Sequence, residues 1–247
     1  MPPLVETAVL ELSPLSLHEQ ILRLGAQALA LGRDRLVIVP LFLLPGVHVM
    51  EDIPAEVAIA RSQLEPRLQI EVVPHLGCHP RLQALLPQPT AAGAARILLA
   101  HGSRRPGGND PVEAIAHQVG AIPAYWAVPP SLATQVAVLV ERGAGMVGNG
   151  SQGAQTHAQT HAQTHAQTHA QTHAQTHAQT IEILPFFLFP GGITEAIAEV
   201  VSQLAEQFPQ CALHLRAPLG ATPQLAELVA ELATRELGQG TRLRPAK

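Results

Sequence analysis

Two histidines lie directly after apolar runs of the sequence, where the chain turns. His48 ends the segment PLFLLPGVH at residues 40–48, and His101 follows the run RILLA at residues 96–100 and opens the tetrapeptide His-Gly-Ser-Arg. In an open parallel sheet, ligands bind outside the carboxyl ends of the strands. A neutral imidazole there can accept a proton or bind a divalent transition metal. His48 and His101 are therefore candidate bases or metal ligands, and a structural or capping role is the alternative for each.

Carboxylates follow His48 in the sequence. Glu51 and Asp52 come three and four residues after it, before an Ile-Pro step. Short acidic side chains are favoured at the residue before the first turn of a helix, where they accept backbone N–H groups. We therefore interpret Asp52 as the N-cap of the next helix.

The sequence contains an approximate internal duplication. Residues 37–52 (VIVPLFLLPGVHVMED) match residues 182–197 (EILPFFLFPGGITEAI) at a constant offset of 145 residues. In the same way, HLGCHPRLQALL at 75–86 matches PLGATPQLAELV at 218–229. Each half thus carries, in order, a strand, a Pro-Gly loop, a helix, a strand, a loop and a helix.

This order predicts an α/β protein of two similar lobes, each a small parallel sheet flanked by helices. We place the first lobe at residues 1–89 and the second at residues 93–247. Apolar runs predict buried parallel strands at residues 35–42, 96–100 and 181–189. Capping, proline and glycine patterns predict a helix from Ser16 to Gly32 with a Ser16–Glu19 capping box, a helix start at Asp110, and helices at 131–142 and 222–238.

A histidine-rich, low-complexity tract interrupts the second lobe at about residues 149–180. It repeats AQTH without variation through residues 155–178 and carries His157, His161, His165, His169, His173 and His177. We interpret the tract as an insertion in a surface connection, because such loops accept added length at small entropic cost. In a helix, histidines four apart lie on one face about 6 Å apart, so neighbouring pairs are predicted to form weak accessory sites for divalent metal. A neutral expansion is the alternative.

Composition excludes several classes of function. The net charge of −4 and the absence of a basic face argue against a nucleic-acid partner. Two cysteines outside any CxxC pattern exclude a cysteine zinc site or a four-cysteine cluster, and they suit a reducing compartment. The longest uncharged apolar stretch has 15 residues, whereas a membrane-spanning helix needs about 20. We predict a cytoplasmic protein without a nucleic-acid or membrane partner.

Taken together, HGSR after one strand, PLFLLPGVHVMEDIP after another and the second copy PFFLFPGGI resemble the sirohydrochlorin chelatases, the class II chelatases of the cobalamin and sirohaem pathways. The resemblance covers nearly the whole chain except the AQTH tract. It implies a lyase that inserts Co²⁺ or Fe²⁺ into a tetrapyrrole without ATP or an organic cofactor, the metal being a substrate. It also implies that His48 and His101 bind the metal and accept the pyrrole protons. Ser103, Arg104 and Arg105 are then candidates for contact with the carboxylate-rich tetrapyrrole.

The sequence departs from the family pattern in the placement of the histidines. One half normally contains both, whereas here His48 lies in the first half and His101 in the second. Ile193 stands where His48 would recur and is expected to serve packing only. His101 precedes Pro185, the counterpart of Pro40, by 84 residues, or by roughly 54 without the insertion. Counting the same distance back from Pro40 puts a further strand and HGS loop upstream of Met1. Either the sequence lacks the start of its first lobe, which the near-symmetry of the halves favours, or His48 and His101 form one site across the lobes.

Two rival functions remain open at this stage. One is a non-catalytic metal-binding or metal-handling protein that displays the histidine tract on a degenerate chelatase fold. The other is a related chelatase that acts on another tetrapyrrole or on nickel. Cobalt and iron accept the same histidines, so the sequence does not distinguish them. Because the duplication mimics a dimer, a monomer is predicted, with a homodimer as the alternative.

Overall fold

The computed structural model describes residues 3–90, 93–148 and 179–234. The first lobe consists of α1 (Leu17–Ala30), β1 (Arg35–Ile38), α2 (Ile53–Leu64) and β2 (Gln69–Val72). A π-helical turn, His48–Asp52, precedes α2, and two 3₁₀ turns follow β2, Leu76–Cys78 and Leu82–Leu85. The second lobe consists of β3 (Ala95–Ala100), α3 (Asp110–Gln118), β4 (Ile122–Tyr125), α4 (Leu132–Gly148), β5 (Gln179–Pro185), α5 (Gly192–Gln207), β6 (Cys211–Leu215) and α6 (Pro223–Thr234).

Both sheets are parallel, as the alternation of strands and helices predicts. The first-lobe sheet has two strands, β1 and β2, and the second-lobe sheet has four in the order β4-β3-β5-β6. The pair β5–β6 repeats the pair β1–β2, which agrees with the 145-residue offset of the duplicated segments. The α/β fold of two small parallel sheets flanked by helices is confirmed.

Strand β1 has an unpaired edge where its counterpart β5 has a neighbour. β5 pairs with β3 on one side and β6 on the other, whereas within residues 3–90 β1 pairs only with β2. Burial differs accordingly: Ile181, Ile183 and Leu184 in β5 are fully buried, and the aligned residues 36, 38 and 39 are half-buried. Strand β1 is therefore an apolar strand, of the kind usually buried inside a parallel sheet, that lies at the edge of the first-lobe sheet.

Apolar side chains form three layers that alternate with the two sheets. Leu36 and Ile38 face α1 and α2 in an outer layer of the first lobe, whereas Val37 and Val39 face the second lobe. In β3, even-numbered residues face the first lobe and odd-numbered residues face α4 and α5. This is the two-residue period of a strand that is covered on both sides. The middle layer contains residues from both lobes and joins them.

Several predicted element boundaries require correction. The predicted strand 35–42 ends at Ile38, because Pro40 has no N–H to donate and the chain turns there. The predicted strand 181–189 begins two residues earlier, at Gln179, and ends at Pro185. Helix α4 does not stop at Gly143 but runs to Gly148, and strand β4 was not predicted. The Ser16–Glu19 capping box is confirmed.

Among the described residues, no helix combines the length and hydropathy needed to cross a bilayer.

A buried ion pair attaches the connection between the lobes to the second-lobe sheet. Glu182, in the centre of β5, is fully buried, and its carboxylate lies 3.4 Å from Arg96 Nε on β3. The Thr90 N–H and hydroxyl both donate to Glu182, the N–H at 2.8 Å. Arg96 also donates to the carbonyls of Val119 and Pro87. Burial alone would raise the pKa of Glu182, but the Thr90 hydrogen bonds and Arg96 lower it, so the carboxylate is ionised.

Replacing Glu182 is therefore expected to destabilise the protein strongly. Glu182→Gln leaves Arg96 charged and uncompensated in the interior, which costs about 3–5 kcal/mol. The free energy of unfolding in urea measures the loss. Glu71→Gln is the matched control, because Glu71 on β2 pairs with the half-exposed Arg35, and such surface pairs are worth at most about 1 kcal/mol. Equal losses in the two variants would contradict the role given to the buried pair.

Candidate functional site

The loop after β1 places His48 at the carboxyl edge of the first-lobe sheet. His48 opens the π-helical turn, is 44% exposed, and its Nδ1 lies 2.7 Å from Asp52 Oδ2. Its ring lies 5.9 Å from the ring of Phe42, centroid to centroid. In neutral His48, donation from Nδ1–H to the Asp52 carboxylate leaves the Nε2 lone pair free. The structure thus presents Nε2 as the atom available to a proton or a metal.

Asp52 does not cap α2, contrary to our interpretation of the sequence. Its carboxylate makes no capping hydrogen bond and binds His48 instead. The π-helical turn extends the helix backwards, so that the Ile53 N–H already donates to the His48 carbonyl. With that N–H satisfied inside the turn, the Asp52 side chain is free to orient the imidazole.

Further carboxylates surround His48. Glu11 Oε1 lies 4.0 Å from His48 Nε2, and an open cleft of about 380 Å³ beside Asp52 is lined by Glu11 and Glu56. The His18 N–H donates to Glu56 at 2.8 Å and its imidazole lies at 2.9 Å, which lowers the pKa of that carboxyl. The approach to His48 is therefore anionic, which favours a cation.

The loop after β3 places His101 at the corresponding edge of the second-lobe sheet. His101 is exposed, and its carbonyl accepts a hydrogen bond from the Ala127 N–H at 2.9 Å. Gly102 has a φ of +85°, and a Cβ there would lie 2.7 Å from Val128 and 2.9 Å from Tyr125. Only glycine fits this close approach. Burial and then Glu113 raise the pKa of Tyr125 to about 12, so the floor under the loop is uncharged.

Ser103 shapes this loop. Its hydroxyl accepts the Arg105 N–H at 3.2 Å, and the Asn109 side chain binds both the N–H and the carbonyl of Ser103, at 2.8 and 3.0 Å. Asn109 was not predicted as part of the site. An Asn before Asp-Pro is typical of a helix start, but its side chain makes no capping hydrogen bond on α3 and binds Ser103 instead. Arg104 is exposed. The substrate contacts predicted for Ser103, Arg104 and Arg105 stay predictions.

An ion pair brings the two histidine loops together across the lobes. Arg105, in the loop that begins at His101, binds Glu51, which lies three residues after His48. Behind this pair, apolar residues of three loops pack in the shared middle layer: Leu43 and Leu44 after β1, Val128 after β4 and Leu188 after β5. The carboxyl ends of strands from both sheets therefore line one region.

Large apolar side chains are exposed on these loops. They are Leu41, Val47 and Met50 after β1, Trp126 after β4, and Phe189 and Ile193 around the start of α5. Ile193, which stands where His48 would recur, is 37% exposed, and the expectation that it serves packing only stays a prediction. We call these six residues the apolar rim. The apolar rim was not predicted from the sequence, because the identity of an apolar loop residue does not show whether neighbouring residues cover it.

Among the residues that the structure describes, no group of three or more His, Cys, Asp or Glu side chains is arranged to hold a metal ion. The six histidines of the AQTH tract, residues 157–177, lie outside the described residues.

Comparison with known proteins identifies the family. The CbiX family model matches residues 2–91 and 156–236, which is more than half of the chain. The chain belongs to the CbiX family. Solved structures agree with this assignment in fold. SirB of Bacillus subtilis with Fe³⁺ has a TM-score of 0.67 and 20% identity, over 96% of this chain and 85% of that one.

Two further solved structures have the same fold. The sirohydrochlorin chelatase SirB of Bacillus subtilis subspecies spizizenii in complex with cobalt gives a TM-score of 0.59 at 19% identity, over 93% of this chain and 81% of that one. A multi-domain protein of Deinococcus radiodurans with similarity to chelatases gives 0.50 at 19% identity, over 81% of this chain and 41% of that one. No curated protein matches the chain by sequence. This CbiX-family chain therefore has the chelatase fold.

The close approach at Gly102 generates a prediction. Gly102→Ala should lower the free energy of unfolding by about 1–2 kcal/mol for the left-handed backbone, with an added cost from contact with Val128 and Tyr125. Urea denaturation measures the change. Gly46→Ala, in the loop before His48, is the control, because nothing lies within 4 Å of the added Cβ. If Gly102→Ala is as stable as Gly46→Ala, glycine is not what shapes the His101 loop.

Proposed function

We propose that the protein is a chelatase that inserts Co²⁺ or Fe²⁺ into sirohydrochlorin without ATP, at one site that both lobes build. The observation that carries the proposal is the Glu51–Arg105 ion pair, which joins the loop of His48 to the loop of His101. It favours the interpretation in which the two histidines serve a single site across the lobes. Membership of the CbiX family and the chelatase fold support the reaction class.

The two imidazoles supply the chemistry that metal insertion needs. A divalent ion must exchange its water ligands for the nitrogen atoms of the macrocycle, and two pyrrole N–H protons must leave. A neutral imidazole is both a ligand for Co²⁺ or Fe²⁺ and a base near neutral pH. His48 presents Nε2 while Asp52 holds Nδ1, and carboxylates line the approach of the cation.

The surroundings suit a large planar substrate with charged edges. The apolar rim would contact the faces of the macrocycle, and Arg104 and Arg105 would bind its carboxylates, Arg105 exchanging Glu51 for the substrate. SirB is a sirohydrochlorin chelatase, and its solved structures contain Fe³⁺ or cobalt. We extend that substrate to this chain as part of the proposal, in the cobalamin or sirohaem pathway of the cytoplasm.

The AQTH tract is peripheral in this proposal. We expect its histidines to bind divalent metal weakly and only in neighbouring pairs, because in a helix each four-residue step would overshoot a turn by about 40°. The two lobes would act together as a monomer, because the duplication supplies both sides of the site.

Removal of either histidine should abolish metal insertion. His48→Ala and His101→Ala are each expected to reduce the rate by at least a hundredfold, because general-base catalysis alone contributes about 10²–10⁴-fold. The assay follows the absorption change of sirohydrochlorin on addition of Co²⁺ or Fe²⁺. His117→Ala, at an exposed position of α3, is the control and should keep its activity. A wild-type chain that binds metal but never inserts it would support the metal-handling alternative and overturn the proposal.

Asp52 is proposed to position His48. Asp52→Asn keeps the shape of the side chain but removes the charge that orients the imidazole, and loss of such a partner costs about 10–100-fold in metal affinity or activity. The expected result is a raised KM for the metal, with partial rescue in Asp52→Glu. Glu65→Gln, which removes the same charge at the other end of α2, should leave the KM unchanged. Equal behaviour of Asp52→Asn and Glu65→Gln would show that only net charge matters.

A further inference from the structure

We propose that His75 and Cys78 form a second metal site, which binds a thiophilic divalent transition ion such as Co²⁺ or Zn²⁺. Both residues lie in the loop HLGCHP after β2, and Cys78 Sγ is 3.2 Å from His75 Nε2. The proposal revises our conclusion that two cysteines outside a CxxC pattern exclude a cysteine zinc site, because here a histidine supplies the second ligand. The site is separate from His48 and His101, and the proposal does not depend on the proposed function.

The surroundings of His75 leave its Nε2 available as a ligand. The residue is only 8% exposed, and its Nδ1 lies 2.9 Å from the carbonyl oxygen of Phe42. A carbonyl can only accept, so Nδ1 carries the proton and Nε2 has a lone pair directed at Cys78. Metal-binding histidines almost always donate their second ring N–H to a carbonyl or carboxylate. His75 is thus oriented as such a ligand is.

The separation of the two atoms suits one shared ion. Metal–sulfur and metal–nitrogen bonds of about 2.3 and 2.0 Å at a tetrahedral angle place the ligand atoms about 3.5 Å apart. The exposed Cys78 side chain closes this small difference by a slight rotation. Partial burial raises the pKa of the thiol, so without a metal it stays protonated and is not an activated nucleophile. Water can complete the coordination on the exposed side.

The loop is held firmly against the loop that leads to His48. A Cβ on Gly77 would lie 1.9 Å from the Leu43 carbonyl oxygen, so the backbones touch there. The Gly77 N–H donates to the Phe42 carbonyl at 2.9 Å. This contact fixes the turn that carries both ligands. Because the ring of Phe42 lies beside His48, an ion on this site would be held at the flank of the candidate site.

The second copy of the loop shows that the fold does not require these two side chains. Pro218 and Ala221 occupy the positions of His75 and Cys78. The second loop nevertheless contacts its own Pro-Gly segment in a similar way, with the Gly220 N–H donating at 2.8 Å. Because the duplicated turn forms without a histidine or a cysteine at these positions, we attribute a chemical role to His75 and Cys78.

Titration of the reduced full chain with Co²⁺ tests the site. A thiolate bound to Co²⁺ gives a charge-transfer absorption in the near ultraviolet, which imidazole ligands do not give, so the AQTH histidines do not interfere. The band is expected in the wild-type chain and in Cys211→Ala, which removes the other, buried cysteine. It should be absent in Cys78→Ala, whose exposed side chain makes misfolding no concern.

A second variant tests whether His75 and Cys78 bind the metal together or whether the Cys78 thiol binds it alone. His75→Gln should lower the Co²⁺ affinity reported by this band at least tenfold, and circular dichroism checks that the variant is folded. The proposal is overturned if the wild-type chain gives no band, if the band survives in Cys78→Ala, or if folded His75→Gln binds Co²⁺ as tightly as the wild-type chain does.

Discussion

The apolar layer between the two sheets is the contact on which the rest of the structure depends. A two-stranded sheet is at best marginally stable in water without packing, and β1–β2 is such a sheet. Val37 on its inner face, together with Val73 and Leu76 directly after β2, packs in one continuous cluster with Leu98, Leu184 and other second-lobe residues. Each fully buried side chain of this size contributes about 1.5–3 kcal/mol. Without this layer the first lobe would lose the cover of one face, and its histidine loop would lose its position.

The same layer decides where the chemistry can take place. Because the strands of each sheet are parallel, all their carboxyl ends lie on one edge, and the packed layer sets the two edges side by side. Glu51 and Arg105 then meet at the surface of the layer. The site combines an anionic approach at His48, guanidinium groups beside His101 and an apolar rim. A cation and a planar polycarboxylate would meet at the boundary between these regions.

The two duplicated halves have the same order of strands, loops and helices, but the residues at aligned positions have different roles. In the second lobe, β5 is buried between two strands and carries Glu182, which holds the connection between the lobes through Thr90. In the first lobe, the aligned strand β1 is an edge and carries no charge at that position. The Pro-Gly loops differ likewise, with His48 in one copy and the exposed Ile193 in the other. The duplicated segments therefore share the same order of elements and differ in the side chains at aligned positions.

The sequence by itself determined the features that depend on neighbours along the chain. The repeat, the alternation of strands and helices, the Ser16 capping box and the position of both histidines after strands follow from local patterns, and the structure has them. Tertiary structure decided which side chains meet. Asp52 binds His48 instead of capping a helix, Glu182 accepts hydrogen bonds from Thr90, and Cys78 Sγ lies at hydrogen-bond distance from His75 Nε2. Ion pairs and hydrogen bonds act over a few ångströms, and only the packing of the two sheets brings residues as distant in sequence as Glu51 and Arg105 within that range.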